Sequence, residues 1–301
     1  MGILGILAYL SVWSTHQIVG TVIARGLPRE RSTFVMYATA AILGVSLALA
    51  TGSAVLNAGF LLVSFVGGYQ AWVGYAELFA LRYSLTLTSV VLPLRFVLSA
   101  ALAAVFLGEA ELYRDPFMML GVILLFVATI LFRKGEKTPD GNVSLAPATQ
   151  MCDRGTFGQW LLAISVMVVL AGTAGFAMKY FASELEVPRL AFPSYWYSGA
   201  VIGIAPVLLL NRAKNFVRVS RRDFLVPLRG ATAIGQITLE FVVYQLLPLA
   251  VAAPSLAFGT TVLPVGIGLI GFGERKEVSR LQLAALAVGF TGALLLVVAR
   301  T

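Results

Sequence analysis

Apolar runs of nearly bilayer-spanning length, separated by short polar turns, constrain this chain more than any other feature. Thr86 to Leu107 carries a single charged residue, Arg95, and Leu281 to Val298 carries none. Each run approaches the roughly 20 residues an α-helix needs to cross a hydrocarbon core of about 30 Å. Composition agrees, since 59% of the 301 residues are hydrophobic and only 12% are charged. Soluble domains carry roughly 25% charged residues, so this chain lacks the charge to cover a water-facing surface of its size. The bilayer is its solvent, and in a bilayer the backbone must satisfy its own hydrogen bonds, which favours helices.

Ten apolar windows are legible, near 3–24, 33–51, 56–80, 86–107, 116–132, 158–181, 191–210, 224–246, 250–272 and 281–299. The loop charges test that count. Lys plus Arg number 3, 0, 1, 1, 4, 1, 5, 0 and 3 in the nine successive connections. Sixteen therefore fall in odd-numbered loops and two in even ones, an alternation that a missed or invented span would scramble. The positive-inside rule places the odd loops in the cytoplasm and both termini outside, with the basic stretch 211–223 as the strongest cytoplasmic anchor. The expected setting is multi-pass, in the plasma (inner) membrane.

Several function classes fall away. A lone Cys152 forms no intrachain disulfide, and one cysteine with one histidine, His16, builds no closed zinc site. No Walker A loop, GxGxxG opening a helix after a strand, or HExxH is present, so no cofactor or metal is expected. The first apolar run starts at Met1 without a basic flank or a cleavage site and reads as a retained span. The net charge of +8 reflects cytoplasmic loops; nucleic acid is not an expected partner.

The two halves resemble each other. Thr86 to Phe132 contains Phe106-Leu107-Gly108-Glu109, a polar turn and a span around Gly121; Ala250 to Ala299 contains Phe272-Gly273-Glu274, a polar turn and a span with Gly289 and Gly292. Five spans per half is an odd number, so the second copy must lie upside down relative to the first. The predicted fold class is an all-α polytopic membrane protein, ten transmembrane helices as two inverted five-helix repeats. Residues 1–138 form the first repeat, 139–156 a cytoplasmic linker and 157–301 the second.

The stretch Ala76 to Glu109, with Pro93 and the closing Gly108-Glu109, and its weaker copy Leu247 to Glu274 resemble the drug/metabolite transporter (DMT) superfamily, specifically its ten-span EamA-like members. The resemblance implies two EamA-like five-helix repeats and a transporter. It also implies cytoplasmic termini, the reverse of what the charges favour.

Ionisable residues at membrane depth cost at least about 2.5–3.5 kcal/mol each on insertion scales and mark functional candidates. Five occur: His16, Glu77, Arg95, Lys179 and Glu240. Depth along the spans predicts that Glu77 meets Arg95 or His16 on the inner side and that Glu240 meets Lys179 on the outer side. Arg82 and Arg229 fall at interface depth and are expected to snorkel. Helical spacing puts Gln70 with Glu77 and Gln236 with Glu240, each pair on one face, and Trp72 belongs to a mid-membrane polar and aromatic cluster. The candidate substrate-binding set is thus Arg95, Glu77, Glu240, His16, Gln70, Trp72 and Gln236, with no catalytic residue. The competing reading makes the buried charges interhelical pairs that only fix packing.

Tyr195, Trp196 and Tyr197 are expected to form an outer aromatic belt, and Gly199 and Gly203 a close helix contact. Glu109 and Glu274 are expected to cap or bond the turns that follow them. Spans five and ten lack internal charges, which suits faces toward lipid or a second copy in a homodimer.

The expected function is secondary transport of a small polar or zwitterionic organic metabolite, amino acid or nucleoside-like, by alternating access between the repeats. The partners are then that solute and the lipid bilayer. A flippase for a lipid-linked intermediate with the same fold is the alternative. A membrane enzyme is disfavoured, because one histidine and scattered carboxylates supply no nucleophile–base set.

Overall fold

The computed structural model describes residues 2–24, 27–53, 58–83, 88, 92, 94–134, 154–210, 221–257, 259–260 and 280–298. The linker core 139–153, Pro93, Glu274, the basic stretch 211–220 and the side chain of Arg82 lie outside the described residues. Among the described residues the chain is all-helical, with ten α-helices and no strand. They are α1 (Gly2–Ala24), α2 (Arg29–Ala50), α3 (Ala58–Tyr83), α4 (Leu94–Phe106), α5 (Pro116–Lys134), α6 (Arg154–Ser183), α7 (Phe192–Leu210), α8 (Leu225–Leu246), α9 (residues 249–257) and α10 (Arg280–Val298). Each falls within or over one of the ten apolar windows. By length and composition, four described segments are long and apolar enough to cross a membrane: Leu4–Ala24, Arg29–Ala50, Gly158–Ser183 and Phe192–Leu209.

Helix ends follow local chemistry. Pro28, extended, precedes α2, where its missing N–H is no loss. At the other end Thr51 donates its backbone N–H and its hydroxyl to Leu47 O, and Gly52 takes the left-handed conformation that stops the helix. Within α1, Ser14 and Thr21 bond the carbonyls of Leu10 and Gln17 one turn back, so these hydroxyls add no net polarity to the helix surface.

Packing runs mostly between the two halves of the sequence. Helix α1 lies on α8, α3 on α6, α2 on α7, α3 on α7, α2 on α8, α4 on α6, and α5 on α10. The α3–α7 contact is the tightest. A Cβ on Gly199 would collide with Ser64 O, one on Gly203 with Gly68 O, and one on Gly67 with Trp196 O. Small residues on both helices let the backbones approach, as membrane helices do when no hydrophobic force drives them together.

Helix α8 is central. Its buried positions are Val226, Arg229, Gly230, Ala233, Ile237, Glu240, Phe241, Val243 and Tyr244, a stripe recurring every three to four residues. That period carries Arg229 and Glu240 inward on nearly one face, about 16 Å apart along the axis at roughly 1.5 Å per residue. The α5–α10 pair is the contrast. Phe117, Leu120, Ile123, Ile130, Leu283 and Phe290 are exposed there, an apolar outer face suited to lipid.

Candidate functional site

Buried polar residues converge where α1, α2, α3, α4, α6, α7 and α8 meet. A cavity of about 60 Å³ lies there, between the levels of Arg229 and Glu240 on α8. Helix α3 presents Gln70, Val73, Gly74 and Glu77 to it, an i, i+3, i+4, i+7 face. Helix α1 adds Trp13 and His16, α4 adds Arg95, and α8 adds Ala233, Gln236 and Ile237. Trp196, Tyr197, Tyr37 and Met167, with Met36 and Leu92, complete the wall.

One end of the cavity is closed by Glu77. Its Oε2 accepts from Arg229 Nη2 at 2.6 Å and its Oε1 from Gln17 Nε2 at 2.7 Å. One carboxylate thereby ties α1, α3 and α8 together. The Arg229 side chain is 1% exposed, and α1 makes room for it with Gly20, whose Cβ would stand 2.9 Å from the guanidinium. Beside this staple, His16 Nδ1 lies 3.2 Å from Thr232 Oγ1, whose own proton goes to Arg229 O at 2.9 Å. His16 Nδ1 is therefore the donor. Further along the same end, Arg31 and Asp223 pair at 3.5 Å, and Tyr75 donates to Glu30 at 3.1 Å.

The other end holds Arg95 and Glu240. Arg95 Nη2 donates to Tyr9 Oη at 3.3 Å, and the guanidinium lies 4.7 Å from the Trp13 ring centroid. Glu240 Oε1 accepts from Tyr244 at 3.0 Å, and Tyr9 and Gln236 stand beside the carboxylate. Arg95 thus reaches its counter-charge through a phenol and not directly.

Several expected pairings are replaced. Glu77 bonds Arg229 and not Arg95 or His16. Arg229 does not snorkel; it is buried and turned inward onto Glu77 of α3. Lys179 does not meet Glu240. It is buried and donates to the carbonyls of Tyr244 and Leu247 at 2.7 and 3.0 Å, the groups a helix C-terminus leaves open. Glu109 caps a helix in the other half and not its own turn, accepting the backbone N–H of Leu249 and Ala250 at 3.1 and 2.9 Å. Tyr195, Trp196 and Tyr197 are buried, not a belt; Tyr197 donates to Ala233 O at 2.8 Å.

Of the seven candidate residues, His16, Gln70, Glu77, Arg95 and Gln236 line the cavity. Glu240 stands behind it, one turn along α8 from Gln236. Trp72 does not reach it: two residues past Gln70 it turns about 200° around α3, and it is 43% exposed on the outer surface. Tyr9, Trp13, Gln17 and Arg229 are not among the seven candidates the sequence offers. Among them, Gln17 had the plainest signal, as a second amide-bearing polar residue beside His16.

No family model matches the chain, and no curated protein matches it. A solved structure described only as "Crystal structure of protein" superposes on 99% of this chain and 97% of its own, with a TM-score of 0.69 and 19% identity. At that identity the likeness shows the fold, over the whole length of both chains.

Proposed function

We propose that this chain is a secondary carrier of the EamA-like drug/metabolite type, and not an enzyme. It moves a small polar or zwitterionic organic metabolite across the plasma (inner) membrane. Its ten helices act as two inverted five-helix repeats that rock about the cavity and open it to one side at a time.

The observation that carries this reading is a buried polar chamber walled by both halves and flanked by two charge clusters. Arg95, His16 and Gln70 come from the first half, and Gln236, Trp196 and Tyr197 from the second. Interhelical pairs that merely fix packing have no need of a chamber between them. At roughly 10–15 Å³ per water, the chamber of about 60 Å³ holds about four to six waters. The packing supports the inverted repeat. Adding five to each helix number exchanges α1–α8 with α6–α3, and α3–α7 with α8–α2, while α2–α7 and α5–α10 map onto themselves.

The test is solute flux. Purified protein is screened by thermal shift against a metabolite library, and each hit is loaded into proteoliposomes. Saturable flux that falls at least tenfold in Arg95→Ala, with the variant still folded, is the expected result. Hits that bind but never cross, or flux untouched in Arg95→Ala, overturn the reading. Movement of lipid in place of solute would favour a flippase.

A further inference from the structure

The two buried guanidiniums differ in what they touch. Arg229 meets a carboxylate directly; Arg95 meets the Tyr9 hydroxyl and the faces of Trp13 and Phe96. Two further polar atoms on the chamber wall have no partner among the described residues, Trp13 Nε1 and Gln70 Oε1. Trp13 is 3% exposed, so water outside the protein does not serve its N–H. The wall therefore offers a cation and an indole donor on α4 and α1, and an acceptor on α3. A carboxylate matches the first two, and a hydroxyl or amine on the same solute matches Gln70. A dianion would call for a second cation, and Arg229, paired with Glu77, does not line the chamber.

An anion on Arg95 shares that guanidinium with Glu240, one phenol away. Two negative charges on one buried cation are disfavoured until one is neutralised. The groups facing Glu240 are Tyr9 from α1, Arg95 from α4, Tyr197 from α7, and Gln236 and Tyr244 from its own helix. Lys179 of α6 lies on the Tyr244 carbonyl, and His16 is held by Thr232 two turns away along α8. Glu240 is the carboxylate in this group. We propose that the chamber takes one monocarboxylate anion together with one proton, the anion on Arg95 and Trp13 Nε1 and the proton on Glu240. One negative and one positive charge enter, so the charge of the network is unchanged and no bond other than O–H is made. This inference rests on the carrier reading and narrows its substrate class.

The experiment uses the full chain in detergent, weakly buffered, with a pH indicator. The probes are sodium pyruvate, L-lactate and benzoate, with lactamide and benzamide as uncharged controls. A carboxylate should bind with uptake of about one proton per anion, and its Kd should rise about tenfold per pH unit where free Glu240 is ionised. The amides should not bind. Glu240→Gln should bind the anion with no proton uptake and a flat pH profile, and Tyr9→Phe should lower the uptake per anion. Anion binding without proton uptake, uptake that persists in Glu240→Gln, or binding of the amides but no acid overturns the proposal. Flux of an uncharged or cationic solute while no acid binds defeats the carboxylate and leaves the carrier; binding of an acid with proton uptake but no flux does the reverse.

Discussion

Glu77 and Glu240 occupy helices three and eight, the same place in the two halves, yet their burial is stabilised differently. Glu77 has a guanidinium at 2.6 Å and an amide at 2.7 Å. Glu240 has phenols, with its guanidinium one hydroxyl removed. A directly paired carboxylate fastens three helices. A carboxylate held by hydroxyls keeps its partners whether or not it carries a proton. The first arrangement suits a fastening at one end of the chamber, and the second suits a group that changes state.

Removing one partner should expose that difference. Arg229→Gln leaves Glu77 charged and unpaired, and should cost about 3–5 kcal/mol of stability, read as a fall in unfolding temperature in detergent. Adding Glu77→Gln should restore most of that loss. Gly20→Ala is expected next, at about 1–3 kcal/mol, because the new Cβ displaces the guanidinium from Glu77; thermal unfolding of the single variant measures it. Glu240→Gln should cost only about 1 kcal/mol, since an amide oxygen accepts the same phenols. A loss equal to that of Arg229→Gln would erase the distinction between the two ends. Smallest is Thr232→Val, about 0.5–1.5 kcal/mol for the hydrogen bond lost to His16, the other bond of that hydroxyl being local to α8, with His16 reporting the change in its NMR shift.

The helices were legible because apolar length and loop charge are local quantities. Each of the ten windows corresponds to a helix, and the face Gln70, Val73, Gly74, Glu77 follows from a 3.6-residue period alone. Partners were not legible. Glu77 and Arg229 are separated by 152 residues, and no spacing rule joins them. Depth along its own span makes Arg229 interfacial, whereas burial depends on what packs around that turn. Trp72 misled for the opposite reason: a cluster in sequence is spread around a helix in space, and only part of it faces inward. The triplet Tyr195-Trp196-Tyr197 looked like a belt because belts and chamber walls draw on the same amphipathic aromatics.

The central claim is that one chamber, fastened at the Glu77 end, opens to either side in turn. It is tested most directly by accessibility of its wall. With Cys152 replaced, a cysteine at Gln236 in sealed proteoliposomes is labelled with a membrane-impermeant maleimide applied from each side. Labelling from both sides is expected, shifting toward the Glu77 end in Arg229→Gln. Labelling from one side only, unchanged by Arg229→Gln, would contradict it.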